Sequence, residues 1–370
     1  MSRLVLNATH FRPEGMDGLN RYTSEVIRQL TGFFPESTTL TSTFPVIGAS
    51  VKSPKMLARF GFAGNLSRLL WNQTALRRRL RKLEAELFFS PVPEGMLRPV
   101  CRQIITVHDL LPLRYPETYP RLKYYFRRIL PSLTRHSEKI VTISQFTRKE
   151  VMELFGVNSA KIDVVYPGYD PRTFFPRRPE QVSPVLKKHG ITEKYLLCVG
   201  ESRPYKNFEA AIQAMAAVKN SHIKLVVVGD ANRLNKTIRE LPRKIGVESR
   251  VSFTGFVSDE ELAALYSNAL VFLFPSLYEG FGLPPLEAMA CGAPVIASNR
   301  TSVPEVCGNA ALYFDPKNNA ELVRHINAIA VSDNLREELA AKSLRQAKKF
   351  SWKKTAGRIR EIFIPYLKNV

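Results

Sequence analysis

The feature that most constrains the fold of this chain is a series of short apolar runs, rich in Val, Ile and Leu, that recur between helical patterns along its whole length. The runs read "RLVLNA", "QIITVHD", "KIVTIS", "KIDVVYPG", "YLLCVGE", "IKLVVVGD", "RVSFTG", "LVFLFPS" and "APVIAS". Strands that are apolar on both faces are typical of a parallel sheet covered by helices on each side. The sequence therefore predicts an α/β protein.

The length of the chain, 370 residues, exceeds the size at which one hydrophobic core keeps growing, so we expect two domains. A proline-rich break, "YPGYDPRTFFPRRPEQVSP", is interpreted as an extended interdomain linker near residues 176–186. We predict doubly wound Rossmann-like domains at 1–180 and 181–354, with a C-terminal helix at about 355–370 that packs back on the first domain. Ligands of such sheets bind beyond the carboxyl ends of the strands, so two such domains would face one another across a cleft.

The cellular compartment is indicated by what the sequence lacks. It contains no run of about 18 uncharged apolar residues and no hydrophobic region of signal-peptide length near its start, so we expect a cytoplasmic protein without a membrane span. Its four cysteines, Cys101, Cys198, Cys291 and Cys307, form no C-x-x-C pair and stand beside apolar residues. We predict buried free thiols and neither zinc ligands nor disulfides.

The formal net charge of +21 calls for an anionic partner, which could be nucleic acid, anionic lipid or a phosphorylated substrate. Basic residues concentrate in "LRRRLRKLEAEL" (76–87) and "YPRLKYYFRRILPSLTRH" (119–136), where they alternate with Leu, Tyr and Phe. This mixture fits helices that lie on an anionic membrane surface, and a solvated basic helix face explains it as well. No nucleic-acid module accompanies the charge, so we expect no nucleic-acid partner.

The stretch "PSLYEGFGLPPLEAMACGAPVIAS", residues 275–298, predicts a strand, a glycine turn, a helix and a further strand. Pro284 and Pro285 favour the first helical turn, where the N–H group that proline lacks is not needed. The backbone N–H groups of Phe281, Gly282 and Leu283 would then lie at a helix N-terminus. Such a group of amides favours an anion, for example a diphosphate.

Charged side chains flank this predicted anion site. Glu279 precedes the turn, and Glu287 is expected in the first helical turn, so both carboxylates could accept hydrogen bonds from the hydroxyls of one sugar-containing ligand. A second loop, "VGESRPYKNFEAAIQAM", follows a strand that ends at Gly200 and carries Arg203 and Lys206, which could neutralise a leaving diphosphate. Alternatively, Glu279 is an ordinary turn residue and Glu287 a charge that is favourable to the helix dipole. The two cations could likewise be ordinary surface charges.

The first domain also contains residues at strand ends. His108 ends the strand "IITVHD" and is therefore expected beyond the carboxyl edge of the sheet, although a lone histidine is often structural. Ser144 follows another strand and could either cap a helix or contact a ligand. The stretch "GMDGLNRYTSEVIRQL" places Gly15 and Gly18 before a helix, where a plain loop is the alternative to close approach of a ligand.

The stretch at 275–298 resembles the two-glutamate signature of the retaining family 4 glycosyltransferases, which have the GT-B fold and take a sugar from a nucleotide donor without a metal. The resemblance extends over nearly the whole chain. The other segments that look like family segments, in family order, are "GLNRY", "TVHDLLPLRYPE", "IVTISQFTRKEV", "KIDVVYPGYD", "VGESRPYKNFEAAI", "VSFTGFVSDEELAALYSNA", "SVPEVCGNAALYFDP" and "FSWKKTA".

The resemblance implies a role for each matching residue. Glu279 would hold the donor sugar and Lys206 the diphosphate. His108 would lie near the transferred sugar and the acceptor. The family often has arginine directly after the glycine that matches Gly200; here Glu201 stands at that position, so Arg203 is expected to replace it. The implied catalytic residues are His108, Glu279, Lys206 and Arg203. The implied donor-binding residues are Gly18, Gly200, Phe256, Val257, Phe281, Gly282, Leu283 and Glu287, with Glu287 on the ribose and Phe256 or Val257 near the base.

The implied reaction is transfer of a hexose, with retention, from a UDP- or GDP-sugar to a polysaccharide or lipid-linked saccharide acceptor. We expect no metal, no cofactor and no protein nucleophile. Among donors the sequence leans slightly to a uridine diphosphate hexose over GDP-mannose. A peripheral contact with the inner face of an anionic membrane is also expected. The competing classes are a sugar-nucleotide epimerase or phosphorylase of the same architecture and a non-catalytic lipid- or polysaccharide-binding protein.

Overall fold

The structure is a computed structural model that describes residues 3–12, 17–43, 49–59, 61–229 and 235–368. The chain forms two compact units. Unit 1 comprises Met1–Gly168 together with Trp352–Val370, and unit 2 comprises Tyr169–Ser351. The sequence placed the first boundary at 180/181; the division between the units lies at 168/169.

The described elements alternate along the chain between strands and helices. The strands are β1 (Leu4–Ala8), β2 (Thr38–Thr41), β3 (Ser50–Lys52), β4 (Leu87–Ser90), β5 (Arg102–Val107), β6 (Lys139–Thr142), β7 (Ile162–Val164), β8 (Tyr195–Val199), β9 (Lys224–Val228), β10 (Val251–Gly255), β11 (Val271–Phe274), β12 (Val295–Ser298) and β13 (Ala311–Phe314). The α-helices are α1 (Gly18–Phe33), α2 (Gly61–Gln73), α3 (Ala75–Lys82), α4 (Leu111–Arg114), α5 (Leu122–Tyr124), α6 (Leu130–His136), α7 (Gln145–Phe155), α8 (Pro179–Lys188), α9 (Phe208–Ala214), α10 (Lys236–Lys244), α11 (Asp259–Asn268), α12 (Leu283–Ala290), α13 (Val303–Cys307), α14 (Asn319–Val331), α15 (Asp333–Ala347) and α16 (Trp352–Phe363). Short 3₁₀ turns lie at Lys55–Ala58, Ser159–Lys161, Pro204–Lys206, Glu248–Arg250 and Ile364–Tyr366, and a π turn at Tyr125–Ile129 joins α5 to α6.

Unit 1 is built on a seven-stranded sheet in the order β3-β2-β1-β4-β5-β6-β7, and all its pairings are parallel. The chain moves outward from β1 through β2 and β3, then returns to place β4 beside β1. Because the loops after β1 and β4 run to opposite sides, a crevice opens at their carboxyl ends, where ligands of doubly wound sheets bind.

Unit 2 repeats this plan with a six-stranded parallel sheet in the order β10-β9-β8-β11-β12-β13. The change of direction here falls between β8 and β11, which pair at Val271 with Leu196 and at Phe272 with Leu197. The loops that follow β8 and β11 therefore border the crevice of this sheet. Predicted site residues lie in both loops: Gly200, Arg203 and Lys206 after β8, and Glu279, Phe281 and Gly282 after β11.

The helices bury one apolar face against each sheet. In unit 1, α1 buries Tyr22, Val26, Ile27 and Leu30 at helical spacing. Helix α16 packs against α1, and the Phe363 ring lies 5.0 Å from the ring of Phe89 on β4. The last helix of the chain is therefore part of unit 1. A core of comparable extent lies under the helices of unit 2, with strands β8, β9 and β11 at its centre.

The predicted fold class is confirmed, since every quoted apolar run contains a strand and both sheets are parallel. The apolar runs do not predict strands β2, β3, β4 and β13. Two of these, "TTLT" and "SVK", are short and contain polar residues, so they lack the apolar signal of a central strand. Strand β4, "LFFS", directly follows the basic helical segment, so no break in the pattern separates the two.

The prediction of an extended linker is wrong for its second half. Helix α8 begins at Pro179 and continues past Pro184 to Lys188. Proline is tolerated in the first turn because its missing N–H has no helical partner there, and Val182 of this helix is buried. Lys188 Nζ donates to Glu261 Oε1 at 2.5 Å and so joins α8 to α11.

The basic segments resemble a membrane-surface helix less than the sequence suggested. In α3, Leu76 and Leu80 are fully buried, so the apolar side of this helix belongs to the core of unit 1, whereas Arg78 and Arg81 are exposed. In the second segment Phe126 and Leu130 are buried as well, whereas Tyr124 remains 62% exposed. The periodic leucines and aromatics were core positions because their spacing serves packing onto the sheet.

The cysteines are free thiols, as predicted. Cys198, Cys291 and Cys307 are buried, but Cys101 is only half-buried. Withdrawal from water raises the pKa of Cys101 to about 12, so its thiol is not ionised at neutral pH. Among the helices in the described ranges, none combines the length and the apolar character that crossing a bilayer requires.

Candidate functional site

The centre of the candidate site in unit 2 is an ion pair between two side chains from neighbouring strand ends. Lys206 Nζ donates a hydrogen bond to Glu279 Oε1 at 2.7 Å. The side chains are 15% and 11% exposed, respectively. Lys206 lies on the loop after β8 and Glu279 on the loop after β11, so the pair borders the crevice at the change of strand order. The structure thus brings together two residues that are 73 positions apart in the sequence.

The loop that carries Lys206 depends on glycine for its path. Gly200 has a φ of +143°, and its N–H donates to Val228 O on β9 at 3.0 Å. A side chain at Gly229 would place its Cβ 2.2 Å from the carbonyl oxygen of Gly200, so only glycine fits there. The two strand ends therefore approach each other closely at this edge of the sheet. The sequence analysis did not single out Gly229.

Asn207 fixes the position of the residue before it. Its backbone has a φ of +53°, in the left-handed region, and its Nδ2 donates to Pro275 O and Pro316 O at 3.2 Å each. The loop after β8 is therefore tied to the chain that follows β11 and β13. Lys206 Nζ also lies 5.5 Å from the centroid of the Phe274 ring, which adds a favourable cation–π contact.

The glycine bend after Glu279 leads into α12. Gly282 has a φ of +112°, and a Cβ there would lie 3.2 Å from Pro285 Cγ. The bend therefore requires glycine, and helix α12 starts at the next residue, Leu283, as the prolines predicted. Phe281 is buried against Phe350, with ring centroids 5.7 Å apart. The expected function of its side chain is thus structural, which leaves the backbone as the part available to a ligand.

Glu287 is the fifth residue of α12, and the prediction that placed it in the first helical turn is wrong. Proline at both Pro284 and Pro285 allowed the helix to begin at Leu283, which moves Glu287 into the second turn. Its side chain is only 6% exposed. Burial, and after it the nearby Glu287 carboxylate, raises the pKa of Cys291 to about 12.

Two other predicted residues lie on exposed loops of unit 2. Arg203 Nε donates to Glu201 Oε2 at 3.1 Å, and the two side chains are 37% and 45% exposed. The guanidinium of Arg203 thus pairs within its own loop and not with the carboxylate that Lys206 binds. Phe256 follows Gly255 at the end of β10 and is 86% exposed, while Val257 is buried. Of these two, Phe256 has the side chain that is open to a stacking ligand.

In unit 1, His108 lies at the carboxyl end of β5, as predicted. Its Nε2 and the carbonyl oxygen of Pro91 are 2.7 Å apart, and its ring meets that of Tyr22 edge-on at 4.6 Å. Withdrawal from water lowers the pKa of His108 to about 4. The imidazole is therefore neutral at physiological pH, with its proton on Nε2 directed to Pro91, and its Nδ1 has an acceptor lone pair.

His10 is a second histidine at a strand end of unit 1, after β1, and the sequence analysis did not single it out. It is 5% exposed, and its Nε2 lies 2.8 Å from Thr23 Oγ1. Burial, followed by the charge of Arg68, lowers the pKa of His10 well below the ordinary value. The only signal in the sequence was its place two residues after an apolar run.

The remaining predictions for unit 1 concern helix starts. Gly18 is the first residue of α1, and Asp17 caps that helix by accepting a hydrogen bond from Asn20 N at 2.8 Å. Gly15 lies outside the described residues. The Ser144 side chain accepts a hydrogen bond from Thr147 N at 3.0 Å and so caps α7. Of the two roles expected for Ser144, this contact corresponds to the helix cap. The roles expected of Gly18 and His108 toward a ligand stay predictions.

Comparisons with known proteins agree with this architecture. The family model described as "Glycosyltransferase Family 4" matches residues 16–173, and the one described as "Glycosyl transferases group 1" matches residues 184–346. The O-antigen chain mannosyltransferase B of Escherichia coli is 35% identical over 68% of this chain and 67% of its own length. The serotype-specific mannosyltransferase WbdA of Escherichia coli is 32% identical over 69% of this chain, a match that spans 32% of WbdA.

Solved structures share the fold at much lower sequence identity. Sucrose-phosphate synthase from Thermosynechococcus elongatus superposes with a TM-score of 0.81 over 99% of both chains, at 19% identity. The paired Rossmann-like sheets, the two-glutamate stretch and these matches converge on one assignment. The chain belongs to the family 4 glycosyltransferases and has the GT-B fold, and it is thus a member of a family of sugar-transferring enzymes.

Proposed function

We propose that this protein transfers a mannosyl residue from a nucleotide-activated mannose to a saccharide acceptor in the synthesis of a bacterial surface polysaccharide. The observation that carries the proposal is the Lys206–Glu279 pair, with 2.7 Å between Nζ and Oε1, beside the glycine bend that starts α12. The choice of mannose rests on the names of the O-antigen mannosyltransferases that this chain resembles.

The chemical task of the site is to stabilise charge that develops as the glycosidic bond to the diphosphate breaks. Lys206 supplies a cation whose side chain is already held in place, and the N–H groups of Phe281, Gly282 and Leu283, at and just before the start of α12, would supply aligned dipoles. A donor of this kind in a preorganised site contributes on the order of 3 kcal/mol to transition-state stabilisation. Glu279 would accept hydrogen bonds from the hexose hydroxyls, and Glu287 from the ribose.

We propose that the reaction retains the configuration at the anomeric carbon and needs no metal ion. In this scheme the acceptor hydroxyl attacks from the face that the diphosphate leaves, and the departing phosphate oxygen takes the proton. Proton NMR of the first product formed from an α-linked donor would show an α-mannoside; a β-mannoside would exclude retention. We expect EDTA to leave the activity unchanged. If EDTA abolished the activity and Mg²⁺ restored it, the proposal that the reaction needs no metal ion would be contradicted.

The nucleotide is proposed to be guanosine diphosphate, because mannose is activated as GDP-mannose. The sequence alone leaned slightly to a uridine donor, and the base is expected to stack on Phe256, whose exposed ring accepts either base. Competition of GDP and UDP against the same donor would distinguish the two. A lower inhibition constant for UDP would support the uridine donor instead.

His108 is proposed to be a hydrogen-bond acceptor for a hydroxyl of the transferred sugar or the acceptor. The lowered pKa, about 4, keeps the ring neutral, so it would not act as a general acid at neutral pH. Its Nε2–H is occupied by Pro91 O, which leaves Nδ1 for the ligand. A His108→Asn variant retains hydrogen-bonding capacity and should keep more activity than His108→Phe.

A contact with an anionic membrane at the inner face of the cell membrane is proposed for unit 1. A surface groove of about 450 Å³ lies beside the second basic segment, and its lining includes Tyr124, Leu154, Lys123 and Arg127. Tyr124 is 62% and Leu154 44% exposed, so apolar groups and cations share this surface. Vesicles rich in phosphatidylglycerol should carry the protein upward in flotation, less so at high salt. Arg127→Gln should weaken this more than Arg78→Gln on α3.

The test of the function is the release of nucleoside diphosphate from a panel of nucleotide sugars in the presence of a mannose-terminated oligosaccharide. We expect release from GDP-mannose that depends on acceptor, and loss of at least a hundredfold in Glu279→Gln, which keeps the shape of the side chain. The matched control is Glu193→Gln, a carboxylate of the same unit that pairs with Lys224 at 3.0 Å and lies before the amino end of β8. Equal activity in both variants would refute the proposed site.

A further inference from the structure

The backbone of Glu279 is held by two consecutive residues that the sequence analysis did not single out. Its N–H donates to Thr301 Oγ1 at 3.1 Å. Its carbonyl oxygen lies 2.9 Å from Ser302 Oγ, whose hydroxyl also has Phe281 O within reach at 2.8 Å. Ser302 is fully buried. The peptide groups on both sides of Glu279 are thus fixed to the start of α13.

Thr301 makes its contact from a strained backbone. Its φ is +56°, in the left-handed region, which a β-branched residue rarely occupies. Such a residue persists only where the surroundings over-determine its conformation. Glycine would adopt this conformation without strain, but it would have no hydroxyl for Glu279. The threonine therefore offers a hydrogen bond at a position where its backbone conformation is unfavourable.

Two described residues other than glycine with a positive φ lie beside the ion pair. Within the described ranges, three residues other than glycine have a positive φ: Glu84, Asn207 and Thr301. Asn207 directly follows Lys206, and Thr301 binds the backbone of Glu279. A left-handed residue thus adjoins each end of one salt bridge, and the β-branched Thr301 is the strained one of the two, because asparagine adopts this region readily. Backbone strain of this kind clusters at sites where geometry has to be set before a ligand arrives.

The loop between β12 and α13 does not need the Thr301 hydroxyl to close. Arg300 N donates to Ser298 Oγ at 3.1 Å, and Arg300 Nη2 donates to Asp315 Oδ2 at 2.8 Å. Val303 N donates to Arg300 O at 3.2 Å, which completes the turn through backbone atoms. The Thr301 hydroxyl instead reaches across to the loop after β11. This contact therefore positions Glu279 more than it stabilises the turn that contains Thr301.

We propose that Thr301 and Ser302 are positioning residues that hold Glu279 at the distance from Lys206 at which the two together read a nucleotide sugar. The inference rests on the proposed function of the Lys206–Glu279 pair. Because Thr301 acts on Glu279 and not on the diphosphate, its loss should weaken recognition of the sugar more than recognition of the nucleotide. The residues are thus specificity determinants outside the contact surface that the two-glutamate stretch predicts.

The test compares Thr301→Val, which keeps the branched shape without the hydroxyl, with Thr301→Ser, which keeps the hydroxyl. Calorimetric titration would be run with GDP and with GDP-mannose. For Thr301→Val we expect about five- to tenfold weaker binding of GDP-mannose, the effect of one hydrogen bond, and unchanged binding of GDP. Thr301→Ser should bind both as the wild type does. The proposal would be overturned if Thr301→Val lost affinity equally for both ligands or lost none. It would also be overturned if Thr301→Ser bound GDP-mannose as weakly as Thr301→Val does.

Thr301→Gly separates positioning from stability. The substitution removes the strain together with the hydroxyl, so its thermal midpoint should equal or exceed that of Thr301→Val. The proposal expects Thr301→Gly to lose sugar recognition as Thr301→Val does. A glycine variant that binds GDP-mannose as tightly as the wild type would overturn it.

A second measurement does not depend on the donor. The coupling between Lys206 and Glu279 in unfolding is obtained from a double-mutant cycle with Lys206→Met and Glu279→Gln. Repeated in the Thr301→Val background, the coupling should fall by at least half. An unchanged coupling would overturn the positioning role. If the wild type bound no nucleotide sugar while this coupling still fell, the proposed function would fail and the positioning of Glu279 by Thr301 would stand.

Discussion

Removing Lys206 should expose how much of unit 2 stability depends on its ion pair with Glu279. Lys206→Met keeps an apolar side chain of similar length at position 206 but removes its charge. The Glu279 carboxylate, which is 11% exposed, then has no cation beside it. Breaking a fully buried pair in this way costs about 3–5 kcal/mol. Because 11% and 15% of these side chains remain open to water, we expect about 2 kcal/mol. For a unit of this size that lowers the thermal midpoint by about 4–8 °C.

The double variant Lys206→Met/Glu279→Gln should recover most of this stability, because no unpaired charge is left behind. It should not recover activity, which we expect to stay about 10²- to 10³-fold below the wild type without the cation. The matched control is Lys188→Met, which breaks the pair with Glu261 where the lysine is 64% exposed and should cost at most about 1 kcal/mol.

Differential scanning calorimetry is the assay, with tryptophan fluorescence recorded in parallel. The chain has two tryptophans, Trp71 and Trp352, and both lie in unit 1, so the fluorescence signal reports that unit alone. A calorimetric change without a fluorescence change identifies unit 2. The reasoning is refuted if Lys206→Met is no less stable than Lys188→Met, or if the double variant is as unstable as Lys206→Met.

Three further predictions concern other residues. Glu287→Gln should raise the KM for the donor about tenfold, as expected for one charged hydrogen bond, with a smaller change in kcat, which steady-state kinetics would show; an unchanged KM would exclude a ribose contact. Gly229→Ala would place a Cβ 2.2 Å from Gly200 O and should lower the urea midpoint, whereas Gly32→Ala, with open space around it, should leave the midpoint unchanged or raise it. The pKa of His108 falls from 6.5 to about 4 on folding, so between these pH values the unfolded chain binds more protons than the folded one. The free energy of unfolding of unit 1 should therefore fall as the pH decreases through this window. His108→Asn should flatten this slope in fluorescence-detected urea unfolding, leaving the part due to His10; a slope equal to that of the wild type would contradict the assignment.

The fold was predictable from the sequence because its signal is local. A run such as "YLLCV" is apolar on both faces, and only a sheet covered on two sides buries such a strand. The edge strand β3, "SVK", has no such signal, since it is short, half-buried at best and paired on one side. Helix α8 was not predicted because proline usually ends a helix; Pro179 lies in the first turn, where it is tolerated, but Pro184 lies in the interior of the helix.

The site was predictable in its residue types but not in its contacts. The two-glutamate stretch and the lysine loop each indicated an anion or a sugar. That Lys206 and Glu279 bind one another follows from the pairing of β8 with β11, which is a property of strand order and not of either motif. Thr301 could not be found from sequence, because threonine carries no signal for the left-handed conformation that the structure gives it.

The most direct measurement is a crystal structure of the protein with GDP-mannose bound, or with a non-transferable analogue of it. We predict the diphosphate against Lys206 Nζ and the N–H groups of Phe281, Gly282 and Leu283, the hexose hydroxyls on the Glu279 carboxylate, and the ribose on Glu287. Density for the nucleotide sugar elsewhere on unit 2, with the Lys206–Glu279 hydrogen bond untouched by ligand, would contradict the assignment of the site.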